Sequence, residues 1–264
     1  MEKKQDIKKW LIGIGIIVMG VIAIMGIFGT RIFSPTIKVN DEKSFSIKGI
    51  TSLQIDMTKE QIRIIRVQTN EVRIHYHGTS KQDLKLSTET NNGIVNIGST
   101  RTTNLMQENV YVDIYLPEDY NAQLVIHTTS GNVTSEKVHT EATAINTTSG
   151  NIFLSDYTGN INLKTSSGSI SLSNCTGNIN LKTNSGDISA TYNTFGEQNI
   201  NIVTTSGSIQ LQLPDAAEFL LDAKTSTGKL HSDFSVEEDN KQMSGQIGAK
   251  SNKVVLQTST GGIN

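Results

Sequence analysis

The chain has 264 residues, 36% of them hydrophobic and 5% aromatic, and a formal net charge of −2 from 23 basic and 25 acidic side chains. Setting aside the four lysines and two acids ahead of residue 10 leaves 19 basic against 23 acidic residues, so the bulk of the chain lacks the basic stripe of a nucleic-acid binder. The single cysteine, Cys175, excludes an intramolecular disulfide framework.

In chain order, residues 1–9 form a short lysine-rich tail, with Lys3, Lys4, Lys8 and Lys9. From Trp10 to Phe28 no residue carries a charge. At 1.5 Å per residue this stretch spans roughly 29 Å as a helix, about the thickness of a bilayer's hydrocarbon core. A transmembrane anchor over 10–29 is expected, with the N-terminus in the cytoplasm by the positive-inside rule. The rival is a cleaved signal peptide, but Ala23 to Arg31 offers no small-x-small cleavage pattern. Five glycines (Gly13, Gly15, Gly20, Gly26 and Gly29) fit either a helix-packing face or the ordinary glycine content of membrane spans. Residues 30–44 read as a polar linker.

Between 45 and 127 the chain alternates apolar and polar residues in short runs, as in Gln61-Ile62-Arg63-Ile64, Glu71-Val72-Arg73-Ile74-His75-Tyr76 and Val110-Tyr111-Val112-Asp113-Ile114-Tyr115-Leu116. These are half-buried strands by their period of two. They read as irregular first coils of the array that follows, with a separate β-sandwich cap as the alternative.

Residues 128–264 carry a repeat. A glycine, a small polar residue and Ile or Val recur at Gly150, Gly159, Gly168, Gly177 and Gly186, and more loosely at Gly131, Gly207, Gly228 and Gly261. Asn160-Ile161-Asn162-Leu163-Lys164-Thr165 returns letter for letter as Asn178 to Thr183. Each unit holds one short strand and one turn, so two units make a coil of about 18–21 residues. The glycines suit turns needing positive φ. The expected fold is all-β: a β-solenoid over 45–264, with Ile152, Ile170 and Ile188 in one inward column and Ile161 and Ile179 in another. Pro35, Pro117 and Pro214 fall between strand-like runs, which leaves the ladders their donors. Cys175 sits near the place of Ser167 and Ser185 and reads as a small turn residue. Segments 99–109 and 236–246 read as loops standing off the stack, the second bearing Glu237, Glu238 and Asp239. The final strand, near Thr258, is expected to be an edge that is either covered by that acidic loop or used for β-augmentation by a partner.

Several chemistries do not fit. A nine-residue glycine period suggests calcium-binding solenoids, but the position after the glycine is mostly Asn or Ser, with one carboxylate at Asp187. Asparagine there fits a stacked amide ladder instead. The acids Asp156, Asp187, Glu197, Asp215 and Asp222 lack repeated facing partners, so no general acid–base pair is assigned and no catalytic residue is expected. His75 and His77 share one strand face with Arg73 and could hold a metal given a third ligand, but the sequence identifies none, so they read as a surface histidine pair and no metal site is expected. Lys164 and Lys182 interrupt any flat threonine array of the ice-binding kind. No cofactor motif is present.

The run from Ile114 through Pro117 and Tyr120 to His127-Thr128-Thr129-Ser130-Gly131-Asn132-Val133, followed by Thr-Thr-Ser-Gly-Asn-Ile phrases, resembles the bacterial putative-adhesin β-solenoid family, a domain of unknown function. With an anchor ahead of it the chain is similar to LiaG-type membrane-anchored proteins of Gram-positive bacteria. The resemblance implies a non-enzymatic extracytoplasmic accessory protein of the cell envelope, linked to envelope stress or signalling. The alternative is an adhesin or a cell-wall glycan-binding module. Expected partners are the membrane and either another envelope protein or cell-wall glycan, and no nucleic acid.

Overall fold

The computed structural model describes residues 36–100, 108–249 and 252–264. The expected anchor at 10–29 and most of the 99–109 segment lie outside these residues. Every described element is a strand, and among the described residues no helix is long and apolar enough to cross a membrane.

The first strands are β1 (Ile37–Ser46), β2 (Ser52–Asp56), β3 (Gln61–Val67), β4 (Glu71–Ser80), β5 (Lys85–Asn91), β6 (Ile94–Thr100) and β7 (Glu108–Pro117). The repeats follow as β8 (Gln123–Thr128), β9 (Val133–Glu136), β10 (His139–Thr147), β11 (Ile152–Ser155), β12 (Thr158–Lys164), β13 (Ile170–Ser173), β14 (Ile179–Lys182), β15 (Ile188–Thr191), β16 (Ile200–Val203) and β17 (Ile209–Gln212). The last strands are β18 (Phe219–Thr225), β19 (Glu237–Asp239), β20 (Gln242–Ile247) and β21 (Lys253–Thr258).

They form two sheets. Sheet A has nine strands in the order β1-β4-β7-β3-β9-β11-β13-β15-β17, and sheet B has 12 in the order β19-β20-β18-β21-β16-β14-β12-β10-β8-β2-β6-β5. Each repeat coil runs one strand in B, turns, and runs the next in A, so neighbouring coils pair in parallel. In sheet A, Val133, Ile152, Ile170, Ile188 and Ile209 stack in register; in sheet B, Ile161, Ile179, Ile200 and Val254 do. All are at most 3% exposed. Burying each such side chain contributes about 1.5–3 kcal/mol, which no lone hairpin could collect. The strands of 45–127 run in the same two sheets.

The B-to-A corners explain the glycine phrase differently from the turn geometry expected of it. Gly131, Gly150, Gly168, Gly186 and Gly207 do not have positive φ. Instead, a Cβ on Gly168 would lie 1.9 Å from the Gly150 carbonyl oxygen, and one on Gly186 2.1 Å from that of Gly168. The backbones stack too closely for any side chain. A buried threonine three residues before each glycine ties the corner: Thr165 Oγ1 accepts from the Gly168 N–H (3.0 Å) and donates to the Gly150 carbonyl (3.3 Å) of the next coil. Within the repeats, glycines take positive φ in the A-to-B corners instead, at Gly159 and Gly177.

The asparagine ladders are present. Asn180 donates to Asn162 (3.1 Å) and Asn201 to Asn180 (2.9 Å), while Asn151 Oδ1 accepts from the Ser169 N–H (2.9 Å). Cys175 lies in the corner between β13 and β14, as expected of a turn residue, but not on its surface. It is fully buried in the A-to-B corner column with Val138, Tyr157 and Tyr192, and burial pushes its thiol up to about 11.

Both ends of the stack depart from chain order. The β2/β3 coil lies between the β6/β7 coil and the β8/β9 coil, and β21 lies between β16 and β18. The strand ending at Thr258 is therefore no open edge, because it pairs on both sides. The 236–246 segment is no standing loop either: it builds β19 and β20, which extend sheet B antiparallel beyond β18. The expected loop was wrong because Met243, 2% exposed, anchors the hairpin on the core.

A candidate binding face on the outer side of sheet A

Most of the solenoid's outer surface carries short polar side chains. On sheet B, Asn162, Asn180, Asn201, Lys164 and Lys182 face outward; on sheet A, Ser171, Ser189 and Gln210 do, together with the exposed Phe153. Strands β4, β7 and β3 differ. Their inward residues, among them Val72, Ile74, Tyr76, Val112, Ile114 and Ile62, are buried completely. Alternation then forces Arg73, His75 and His77 of β4, Tyr111, Asp113 and Tyr115 of β7, and Arg63 of β3 onto one outer face. The antiparallel return of β4 onto β7 sets Arg73 opposite Tyr115, His75 opposite Asp113 and His77 opposite Tyr111. Parallel pairing with β3 sets Arg63 beside Asp113.

The side chains interlock. Arg63 grips both carboxylate oxygens of Asp113, and that hydrogen bond raises the guanidinium's pKa further, against the opposing effect of burial. His77 Nε2 lies 3.1 Å from Asp113 Oδ2. The two histidine rings stack at 4.4 Å, and His75 Nε2 meets Asn40 Oδ1 of β1 at 3.0 Å. Arg63 lies over the Tyr111 ring at 5.2 Å, and Arg73 over Tyr115 at 4.3 Å, with Glu42 at 3.5 Å. Cation–π contacts of this kind are worth roughly 0.5–1 kcal/mol at exposed sites. Next to the face, Arg63, Arg66, Thr134, Glu136 and Lys137 line a shallow cleft of about 300 Å³.

The histidines singled out in the sequence do share a face with Arg73. The sequence missed Asp113, the residue that ties them to Arg63. Alternation in 110–116 marks Asp113 as outward, but nothing local shows that β4 folds back beside it. The acids weighed as catalytic candidates go elsewhere: Asp187 accepts from the Ser208 N–H at 2.8 Å, and Asp222 pairs with Lys224 at 3.2 Å.

Buried side-chain polar groups near the stack's upper levels serve structure. Glu60, 1% exposed, takes the glycine position in the β2/β3 coil, where its carboxylate accepts from the Thr58 and Lys59 N–H groups, Tyr76 and Ser99. At the opposite end, sheet A thins to single bridges through Ile263 and Leu230. A recess of about 600 Å³ opens there between the sheets, with Phe219, Leu221, Phe234 and Met243 in its walls.

The fold is a two-sheet β-solenoid of stacked coils, with an interlocked cluster of charged and aromatic side chains on one outer face. The chain matches the Toastrack DUF4097 family over residues 50–264 and belongs to it. Among solved structures, it is similar to a protein described as a putative cell adhesion protein from Clostridium sporogenes, at 11% identity, covering 86% of this chain and 98% of that one, with a TM-score of 0.44. It is also similar to a putative adhesin from Parabacteroides distasonis, at 10% identity, covering 86% of this chain and 97% of that one, with a TM-score of 0.41. None of the curated proteins matches the chain.

Proposed function

We propose that this is a non-enzymatic recognition module of the bacterial cell envelope. In this reading segment 10–29 anchors it in the membrane, the N-terminus is cytoplasmic, and the solenoid is extracytoplasmic. The observation that carries the proposal is a cluster: two tyrosines, two histidines and two arginines stand together on β3, β4 and β7, while the outer faces of the other strands named above carry mostly Asn, Ser, Gln and Lys, with Phe153 a lone exposed aromatic. Guanidinium groups suit carboxylate or phosphate substituents, and here each is seated over a tyrosine ring, which fixes its place on the face. The ligand proposed is an acidic envelope glycan. Cosedimentation of the purified chain with isolated cell wall tests this. The Arg73→Ala/Tyr115→Ala variant should lose most of the binding while keeping its thermal transition, and undiminished binding counts against the face.

The finer proposal, that the protein is a LiaG-type accessory of an envelope-stress or signalling system, rests on the resemblance of residues 114–133 and on the anchor. It expects transcript levels to rise with cell-wall antibiotics. Unchanged transcripts, together with lost surface attachment on deletion, would favour the adhesin reading alone.

A further inference from the structure

We propose that His75, His77 and Asp113 bind a divalent transition metal of the zinc type. The inference does not depend on glycan binding. Each of the three offers a donor atom, and these atoms lie within 4.8 Å of one another. Two imidazoles and a carboxylate are a donor set that zinc accepts, with three protein ligands leaving a position open to solvent or to a ligand oxygen. Bonds of about 2.0–2.2 Å place tetrahedral donors about 3.3–3.6 Å apart, so the cluster must contract by roughly an ångström. The backbone favours that contraction. His75 and His77 are two apart on β4, His75 faces Asp113 directly across the β4–β7 ladder, and the two rings are already nearly parallel at 23°. Both histidines are half-buried, so their rings can rotate, whereas Asp113 is buried and held.

The surrounding groups have defined parts. Arg63 occupies one lone pair on each Asp113 oxygen, and a carboxylate has about four. It therefore orients the ligand without excluding the metal, while its positive charge weakens binding. Asn40, now against His75 Nε2 at 3.0 Å, yields that nitrogen or adds its own oxygen. His77 Nε2, 3.1 Å from Asp113 Oδ2, exchanges its hydrogen bond for a shared metal.

The test is calorimetric titration of Zn²⁺ into the full-length, untagged chain in detergent, with cobalt(II) absorption as the reporter of geometry. One equivalent should bind, with tetrahedral cobalt bands. His75→Ala and Asp113→Asn should each weaken zinc binding at least ~10-fold, as loss of a ligand must exceed loss of a mere supporting group. Arg63→Gln should leave binding intact or tighten it, and a His127→Ala/His139→Ala/His231→Ala variant should bind as the parent does. Circular dichroism melts of each variant establish that it is folded. Absence of a stoichiometric site in the parent overturns the proposal, and so does zinc uptake that survives both His75→Ala and Asp113→Asn. Cell-wall cosedimentation in EDTA reads the glycan proposal by itself, so the two can fail separately.

Discussion

At the residue scale the controlling fact is how little room the coils leave each other. Gly168 is conserved in type along its column by contact, not by φ: its absent Cβ would collide with the Gly150 carbonyl at 1.9 Å, and backbone cannot step aside. Gly168→Ala should destabilise by about 1–3 kcal/mol or more, the range of overpacked sites. Gly196→Ala is the control, since nothing lies within 4 Å of its Cβ and its φ is not positive. That change should be neutral or stabilise by up to about 1 kcal/mol through the unfolded chain. Urea melts of both variants decide it, and equal losses would refute the close-stacking explanation. Cys175 supplies a pH test. Burial raises its folded pKa to about 11 from an ordinary 9.0, so the folded state favours the neutral thiol. That contribution is fully present below pH 9 and is lost as pH rises through 11, because the unfolded chain ionises first. Its full size is about 3 kcal/mol. The parent should therefore lose about 2 kcal/mol more stability than Cys175→Ala between pH 8 and pH 11, and the rest above it. Parallel losses in the two proteins would mean the thiol is not buried.

At the element scale, what could be read from the sequence was what is local. The two-residue alternation and the nine-residue phrase locate strands β8–β17, their inward isoleucines and the asparagine ladders, because each depends on neighbours along the chain or one coil away. That Asp113 sits beside His77 was illegible because it is set by which distant strand lies alongside. The burial of Cys175 and the strands of 236–246 were missed for another reason, since their partners are near in sequence: small and acidic residues read as solvated turn and loop. Acidic residues at 237–239 looked like solvated loop, yet an edge strand needs such charge to refuse further strands. Glu237, Glu238 and Asp239 are all exposed along β19. Deleting 236–246 should uncover the β18 edge, together with part of the apolar surface around Phe219 and Leu221. Sedimentation velocity should then show concentration-dependent self-association. Replacing the three acids with threonine should produce a weaker form of the same effect without removing the hairpin. A deletion variant that stays folded and monomeric at high concentration would remove the guarding role.

At the scale of the whole domain, the coils at each end are laid down out of order, and this alters where the stack is weakest. In a solenoid wound strictly in sequence, the last coil pairs on one side only and frays first. Here β21 shares ladders with both β16 and β18, through Val254 opposite Ile200 and Leu221, and Leu256 opposite Ile202 and Ala223. Even the corner columns follow space rather than sequence: a Cβ on Gly261 would strike the Gly207 carbonyl, and one on Gly228 the Gly261 carbonyl. Opening β21 therefore breaks two parallel ladders and empties two buried positions, whereas opening β20 breaks its ladder to β18 and the short one to β19. Native-state hydrogen exchange measures the difference, because amides report the local opening free energy. The Val254 and Leu256 amides should be protected nearly as well as those of Ile179 and Ile200 in the middle of the stack. They should exchange more slowly than Met243 and Ser244 of β20, although they lie within a dozen residues of the end of this chain. Exchange of β21 before β20 would show that the strand sits at the margin, and would restore the sequential order of coils that the structure replaces.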